Sequence, residues 1–125
     1  MSDANKDWTE PVMPEVFKKP IAELPRDLQK LVQAAMAYKD GVAGFIALAE
    51  DCVNCDKDDC YSCPTHRVLQ DSALFVTTSF LGVRKRQVAP QNKELGDEIM
   101  DWVNAWTGIA LRVSRSGSCN VRLFG

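Results

Sequence analysis

"KELGDEIMDWVNAWTGIALRVS", residues 93–114, has the clearest helical periodicity in the chain. Its apolar residues recur at steps of three and four: Leu95, Ile99, Trp102, Val103, Trp106, Ile109, Ala110 and Val113. This spacing predicts an amphipathic helix with one buried face, and tryptophans at such positions are more often core residues than part of a cofactor site. Met100 and Leu111 fall outside the stripe. We expect them to form an exposed flank that favours self-association.

Two further segments also have helical patterns. Residues 25–52 carry apolar side chains at helical spacing, interrupted at "KDG" (39–41), where we expect a kink or a break because glycine lowers helix propensity. Residues 64–86 are apolar on more than one face, which predicts a buried helix in the middle of a bundle. The β-branched and aromatic residues of "LFVTTSF" (74–80) leave a strand open as an alternative over 74–83.

These patterns predict a mainly α protein, a small bundle of about three long helices. The 125 residues, 46% of them apolar, suit one compact domain. Four prolines, Pro11, Pro14, Pro20 and Pro25, indicate an extended N-terminal arm over residues 1–24. The single helical domain then spans 25–125. Its last residues, "SGSCNVRLFG" (116–125), contain a turn signal and a short alternating stretch that predicts a C-terminal strand.

The most distinctive motif is "CVNCDKDDCYSC", residues 52–63, which holds four of the five cysteines of the chain. Two C-x-x-C pairs lie where one predicted helix ends and the next begins, at the tip of a helical hairpin. Four thiolates brought together this way form a tetrahedral zinc site with Zn–S distances of about 2.3 Å. We therefore predict a structural zinc bound by Cys52, Cys55, Cys60 and Cys63.

Other uses of these cysteines remain open. An iron–sulfur cluster is one, since "CVNCDKDDCYSCP" has the proline that follows the last cysteine in the C-x2-C-x2-C-x3-C-P pattern, although its middle spacings differ. Two disulfides would require an oxidising compartment. We expect His66, one turn after Cys63, to be a solvated residue, with metal ligation as the alternative. We expect Cys119 to be a packed thiol outside the cluster.

Composition and the remaining motifs narrow the class of function. The N-terminal stretch "MSDANKDWTE" lacks the features of a signal peptide, and no apolar run is long enough to span a membrane, so we expect a cytoplasmic protein. Neither a P-loop nor a G-x-G-x-x-G, G-x-S-x-G or H-E-x-x-H motif occurs. With all four thiolates bound, the zinc has no open position for water. We therefore expect a protein that is not an enzyme.

The sequence leaves three functions open. We prefer a small accessory or regulatory protein that binds another macromolecule, most directly a protein, and that also has the features of a homo-oligomer. The alternatives are a nucleic-acid-binding protein that uses the basic run 84–86, and a redox or metal sensor based on thiols or iron–sulfur chemistry. Two observations count against nucleic-acid binding. Antiparallel helices would separate residues 84–86 from Arg112 and Arg115, and the formal net charge is only -2.

Replacing one predicted zinc ligand tests the metal site. Cys55→Ser should remove most of the metal affinity and lower the melting temperature, because the remaining three thiolates cannot close the coordination shell. Lys57→Ala, inside the same loop, should change neither. Metal content and thermal unfolding of protein purified under reducing conditions measure both effects, and equal values for the two variants would rule out the metal staple.

Overall fold

The computed structural model describes residues 8–52 and 64–116. Within them, α1 (Arg26–Cys52), α2 (Pro64–Arg84) and α3 (Lys93–Ser116) form a three-helix bundle. Short 3₁₀ helices occur at Glu15–Lys18, Ile21–Glu23 and Pro90–Asn92, and these ranges contain no strand. The prediction of a mainly helical bundle with three long helices is confirmed. The predicted C-terminal strand and most of the cysteine motif lie outside the described residues.

The helix α1 packs against both of the other helices. Its fully or nearly fully buried residues alternate at steps of three and four, the spacing of a coiled-coil seam. The seam consists of Leu28, Leu31, Ala35, Tyr38, Val42, Phe45 and Ala49, and Ile46, next to the seam, is as buried as Ala49. The helix is continuous through residues 39–41, so the predicted break is absent. Lys39 fits beside the apolar face because its ammonium lies 5.9 Å from the centre of the Trp106 ring.

Contacts between the helices fix their relative directions. The Tyr38 and Phe80 rings are 5.7 Å apart, and Phe75 lies against Gly41, so α1 and α2 run antiparallel. On the other side, Asp27 binds Asn92 and Tyr38 binds Thr107, so α1 and α3 run in the same direction. The bundle is therefore up-down-up. The start of α1, the end of α2 and the start of α3 share one end.

Residues 8–24 cover the apolar face of α3. Val16 and Leu24 are buried in the same core as the helices. The Phe17 ring packs 4.7 Å from the Trp102 ring, and Trp8 meets Trp106 edge to face at 6.1 Å. These aromatic contacts add to the area that the N-terminal segment buries on the domain.

The segment predicted as α2 is helical, but it is less buried than predicted. Residues 74–83 are helical, so the strand alternative is wrong. The helix is not buried all round, however, because α1 occupies the middle of the bundle and α2 packs on it with one face. Four large apolar side chains remain exposed on α2: Val68, Leu74, Phe75 and Leu81. We call these four residues the α2 apolar face.

The flank predicted on α3 is not an exposed apolar surface. Met100 and Leu111 are both partly buried and pack against the core. The wide stripe of α3 explains this, because α1 and the N-terminal segment both cover it. No described helix has the length and apolar character needed to cross a lipid bilayer.

Two glycines of α1 provide a test of the contact between α1 and α2. A Cβ at Gly44 would meet nothing within 4 Å, whereas a Cβ at Gly41 would lie 2.7 Å from the Phe75 ring. Gly44→Ala should therefore raise the free energy of unfolding by about 1 kcal/mol through helix propensity. Gly41→Ala should gain less or be destabilising, because the Phe75 ring must move. Urea unfolding measures both, and equal stabilisation would contradict the packing of Phe75 on Gly41.

Candidate functional site

The predicted zinc site falls mostly outside the described residues. Cys52 is the last residue of α1, and α2 begins at Pro64, directly after Cys63. Because the two helices are antiparallel, the end of α1 and the start of α2 lie at the same end of the bundle. The zinc prediction assumed this arrangement of the helices. Cys55, Cys60, Cys63 and Cys119 lie outside the described ranges, and the metal itself stays a prediction.

The metal-ligating side chains that the structure does describe form no second site. Among them, no three His, Cys, Asp or Glu residues are grouped so that they could hold a metal ion. His66 is only 3% exposed, so the expectation of a solvated histidine is wrong. The reason is its position on the helix, three residues before Leu69 and seven before Ala73, on the face that packs into the core.

The basic run 84–86 belongs to a larger cluster at the opposite end of the bundle. Arg84, Lys85 and Arg86 are exposed at the end of α2. Arg26 and Lys30 of α1 and Lys93 of α3 are exposed at the same end. We call this set of six cations the basic pole. Sequence analysis missed the contribution of α1 because Arg26 and Lys30 are distant from the run along the chain.

Two open clefts lie at the basic pole. The first, about 410 Å³, has an apolar floor that includes Leu31, Val83 and Met100, with Arg84, Arg86 and Lys93 among the residues at its edge. The second, about 420 Å³, is lined by Arg26, Asp27, Lys30, Lys85, Arg86 and Gln87. Four cations and one carboxylate therefore line the second cleft, which gives it a positive formal charge. Such a surface attracts anions.

Two cations of the basic pole that line the first cleft also contact neighbouring side chains. The Lys93 ammonium lies 2.9 Å from the Asp97 carboxylate, and this hydrogen bond raises the pKa of Lys93 above its ordinary value. The Arg84 guanidinium lies 5.9 Å from the centre of the Phe80 ring. Arg112 is at the other end of α3, so it does not join the basic pole.

Asp27 organises the segment that connects α2 with α3. Its Oδ2 accepts a hydrogen bond of 2.8 Å from the Ala89 backbone N–H, and both carboxylate oxygens accept from the side-chain amide of Asn92. Oδ1 also accepts from the N–H of Leu28. The first turn of α1 is thus fastened to the segment that connects α2 with α3. Asn92, the last residue before α3, makes this contact with its side-chain amide group.

The α2 apolar face is the largest departure from an ordinary polar helix surface. The side chain of Leu74 is 67% exposed, and Val68, Phe75 and Leu81 are each at least half exposed. Single exposed apolar residues are common, but several on one helix face mark an interaction surface. A helical-wheel comparison could have found it, because the buried residues Leu69, Ala73, Val76 and Val83 fall on the other side of α2.

Comparison with known proteins finds no matching family model, curated protein or solved structure. Three features of this chain bear on its function: the α2 apolar face, the basic pole and, in the sequence, the cysteine motif.

The hydrogen bonds of Asp27 predict a specific loss of stability in acid. The N–H of Ala89 is the main reason that the pKa of Asp27 lies below its ordinary value of 3.8. A carboxyl with a lowered folded-state pKa stabilises the fold above the unfolded-state pKa. That contribution is lost as the pH falls through the lower, folded-state value.

Asp27→Asn should therefore reduce stability at pH 7 and weaken the pH dependence of unfolding below about pH 4, near the ordinary aspartate pKa. Urea unfolding at several pH values measures this effect. Asp101→Asn is the control, because Asp101 is exposed and its side chain forms no hydrogen bond or ion pair with any described residue. Identical pH profiles for Asp27→Asn and the wild type would contradict the role of Asp27.

Proposed function

We propose that this chain is a small, non-enzymatic accessory or regulatory protein of the cytoplasm that binds another protein. The observation that carries the proposal is the α2 apolar face, with four large apolar side chains exposed on one helix. Burying such side chains contributes about 25 cal/mol per Å² of apolar area. Positions 68 and 75 are seven residues apart, as are positions 74 and 81, so each pair lies along one line of the helix surface and the four line the exposed side of α2.

A zinc ion bound by Cys52, Cys55, Cys60 and Cys63 belongs to this proposal as a structural staple. Metal held by both C-x-x-C pairs would join the end of α1 to the start of α2. The joint would limit sliding of α2 along α1, so the four apolar residues would keep one position relative to the rest of the bundle. An iron–sulfur cluster or a reversible thiol site would turn the same motif into a sensor.

Nucleic-acid binding through residues 84–86 is the second candidate. The basic pole favours it, because Arg26, Lys30 and Lys93 bring three further cations to the same end of the bundle. Several phosphate contacts together are needed for useful affinity, and such binding weakens steeply as salt increases. The apolar face of α2 has no role in this alternative.

Binding experiments with two charge variants separate these functions. Tagged wild-type protein and its variants would be used to purify partners, and each partner would then be titrated in purified form. Leu74→Glu should raise the dissociation constant at least tenfold, since it buries an unpaired carboxylate in the interface. Gln33→Glu adds the same charge to an exposed site on α1 and should have no effect.

Arg84→Ala provides the other arm of the test. Protein binding through α2 should be unchanged by this variant and weakly dependent on salt. Binding to RNA or DNA that is lost in Arg84→Ala, falls steeply with salt and is unaffected by Leu74→Glu would overturn the proposed function in favour of the nucleic-acid alternative.

A further inference from the structure

We propose that the α2 apolar face binds the same face of a second copy of this chain, with the two α2 helices antiparallel and a two-fold axis passing beside Thr78. This inference rests on the proposed function, because it names an occupant for the same surface. The apolar, small and charged residues along α2 occur in an order that suits pairing with a second copy.

The exposed residues of α2 form one face that is centred on Thr78. At 100° per residue, Leu74, Phe75, Leu81 and Gly82 all lie within 60° of Thr78 around the helix. Thr78 is exposed, and its hydroxyl donates a hydrogen bond of 2.9 Å to the carbonyl of Leu74 within the helix. Its hydroxyl hydrogen therefore already has an acceptor, and Thr78 can be covered without leaving an unpaired donor.

The shapes of the two halves of this face match. In the antiparallel pair, Phe75 of one copy lies opposite Gly82 of the other, and Leu74 lies opposite Leu81. A Cβ at Gly82 would meet nothing within 4 Å, so there is open space beside that backbone for an aromatic ring. Phe75 is 55% exposed, with part of its ring against Gly41 of its own copy. The two-fold axis repeats the contact, so each Phe75 packs against Gly82 of the other copy.

The charges match in the same register. Asp71 lies seven residues before Thr78 and Lys85 lies seven after it, and both are exposed. Lys85 directly follows the last residue of α2 but still donates its N–H to the carbonyl of Leu81, so both residues lie within about 20° of the centre of the face. Neither forms an ion pair within the parts of the chain that the structure describes. Across the two-fold axis, each Asp71 meets Lys85 of the other copy. A parallel pair would place like charges together, so the charges select the antiparallel arrangement.

Sedimentation equilibrium over a wide concentration range tests the proposal on the full chain. The wild type should form a dimer. Gly82→Leu should raise the dimer dissociation constant at least tenfold, because the new side chain fills the space for Phe75 of the other copy. The folded monomer has room for it. Gly108→Leu makes the same change at an open position of α3 and should leave the dimer intact.

Charge exchange tests the register. Asp71→Lys and Lys85→Asp should each weaken the dimer about tenfold, since two symmetry-related contacts change from attraction to repulsion. The double variant should restore the wild-type dissociation constant. Circular dichroism of each variant checks that the helices are intact.

Two outcomes would overturn the inference: a monomer at all concentrations, or a dimer that neither Gly82→Leu nor charge exchange affects. If the chain is a monomer and Leu74→Glu still abolishes binding of another protein, the proposed function stands and only the inference fails. If the dimer forms as described but Leu74→Glu changes no binding of another macromolecule, the inference stands and the proposed function fails.

Discussion

Tyr38 joins all three helices of the bundle, and the arrangement of the chain depends on it. Its side chain is completely buried in α1, its ring packs on Phe80 of α2, and its hydroxyl lies 2.6 Å from the Thr107 hydroxyl of α3. The Thr107 hydroxyl donates to the carbonyl of Val103, so Tyr38 is the donor in its own hydrogen bond. Burial raises the pKa of Tyr38, which keeps that proton in place. A central helix needs such residues because its side chains must pack against two neighbouring helices at once.

The need for a two-sided central helix explains which parts of the fold could be predicted. The helix α3 has one wide apolar stripe, and its period alone identifies it. The sequence around Lys39 and Gly41 predicted a break, because a helix with one apolar stripe would have an apolar residue at position 39. In the bundle, Tyr38 continues the seam and Lys39 covers Trp106, so the helix continues. Those contacts depend on α3, which local periodicity cannot include.

The candidate sites were predictable to different degrees for a related reason. The cysteine spacing predicts a metal site without knowledge of the fold, because the motif is local. The basic pole needs three helix ends to meet, so only residues 84–86 could be found by sequence. For α2, apolar residues on two faces suggested full burial, whereas one face packs on α1 and the other is exposed. Composition does not distinguish a surface that binds a partner from one that enters the core.

The packing of residues 8–24 on α3 has a consequence for the order in which the protein forms during synthesis. Trp8 and Phe17 are synthesised well before their aromatic partners, Trp106 and Trp102, which lie in α3. Helices α1 and α2 are both synthesised before α3. Until α3 is complete, the N-terminal segment has no docking surface on it. The nascent chain therefore exposes these aromatic side chains until α3 has emerged, and docking of the segment on α3 must follow the synthesis of that helix.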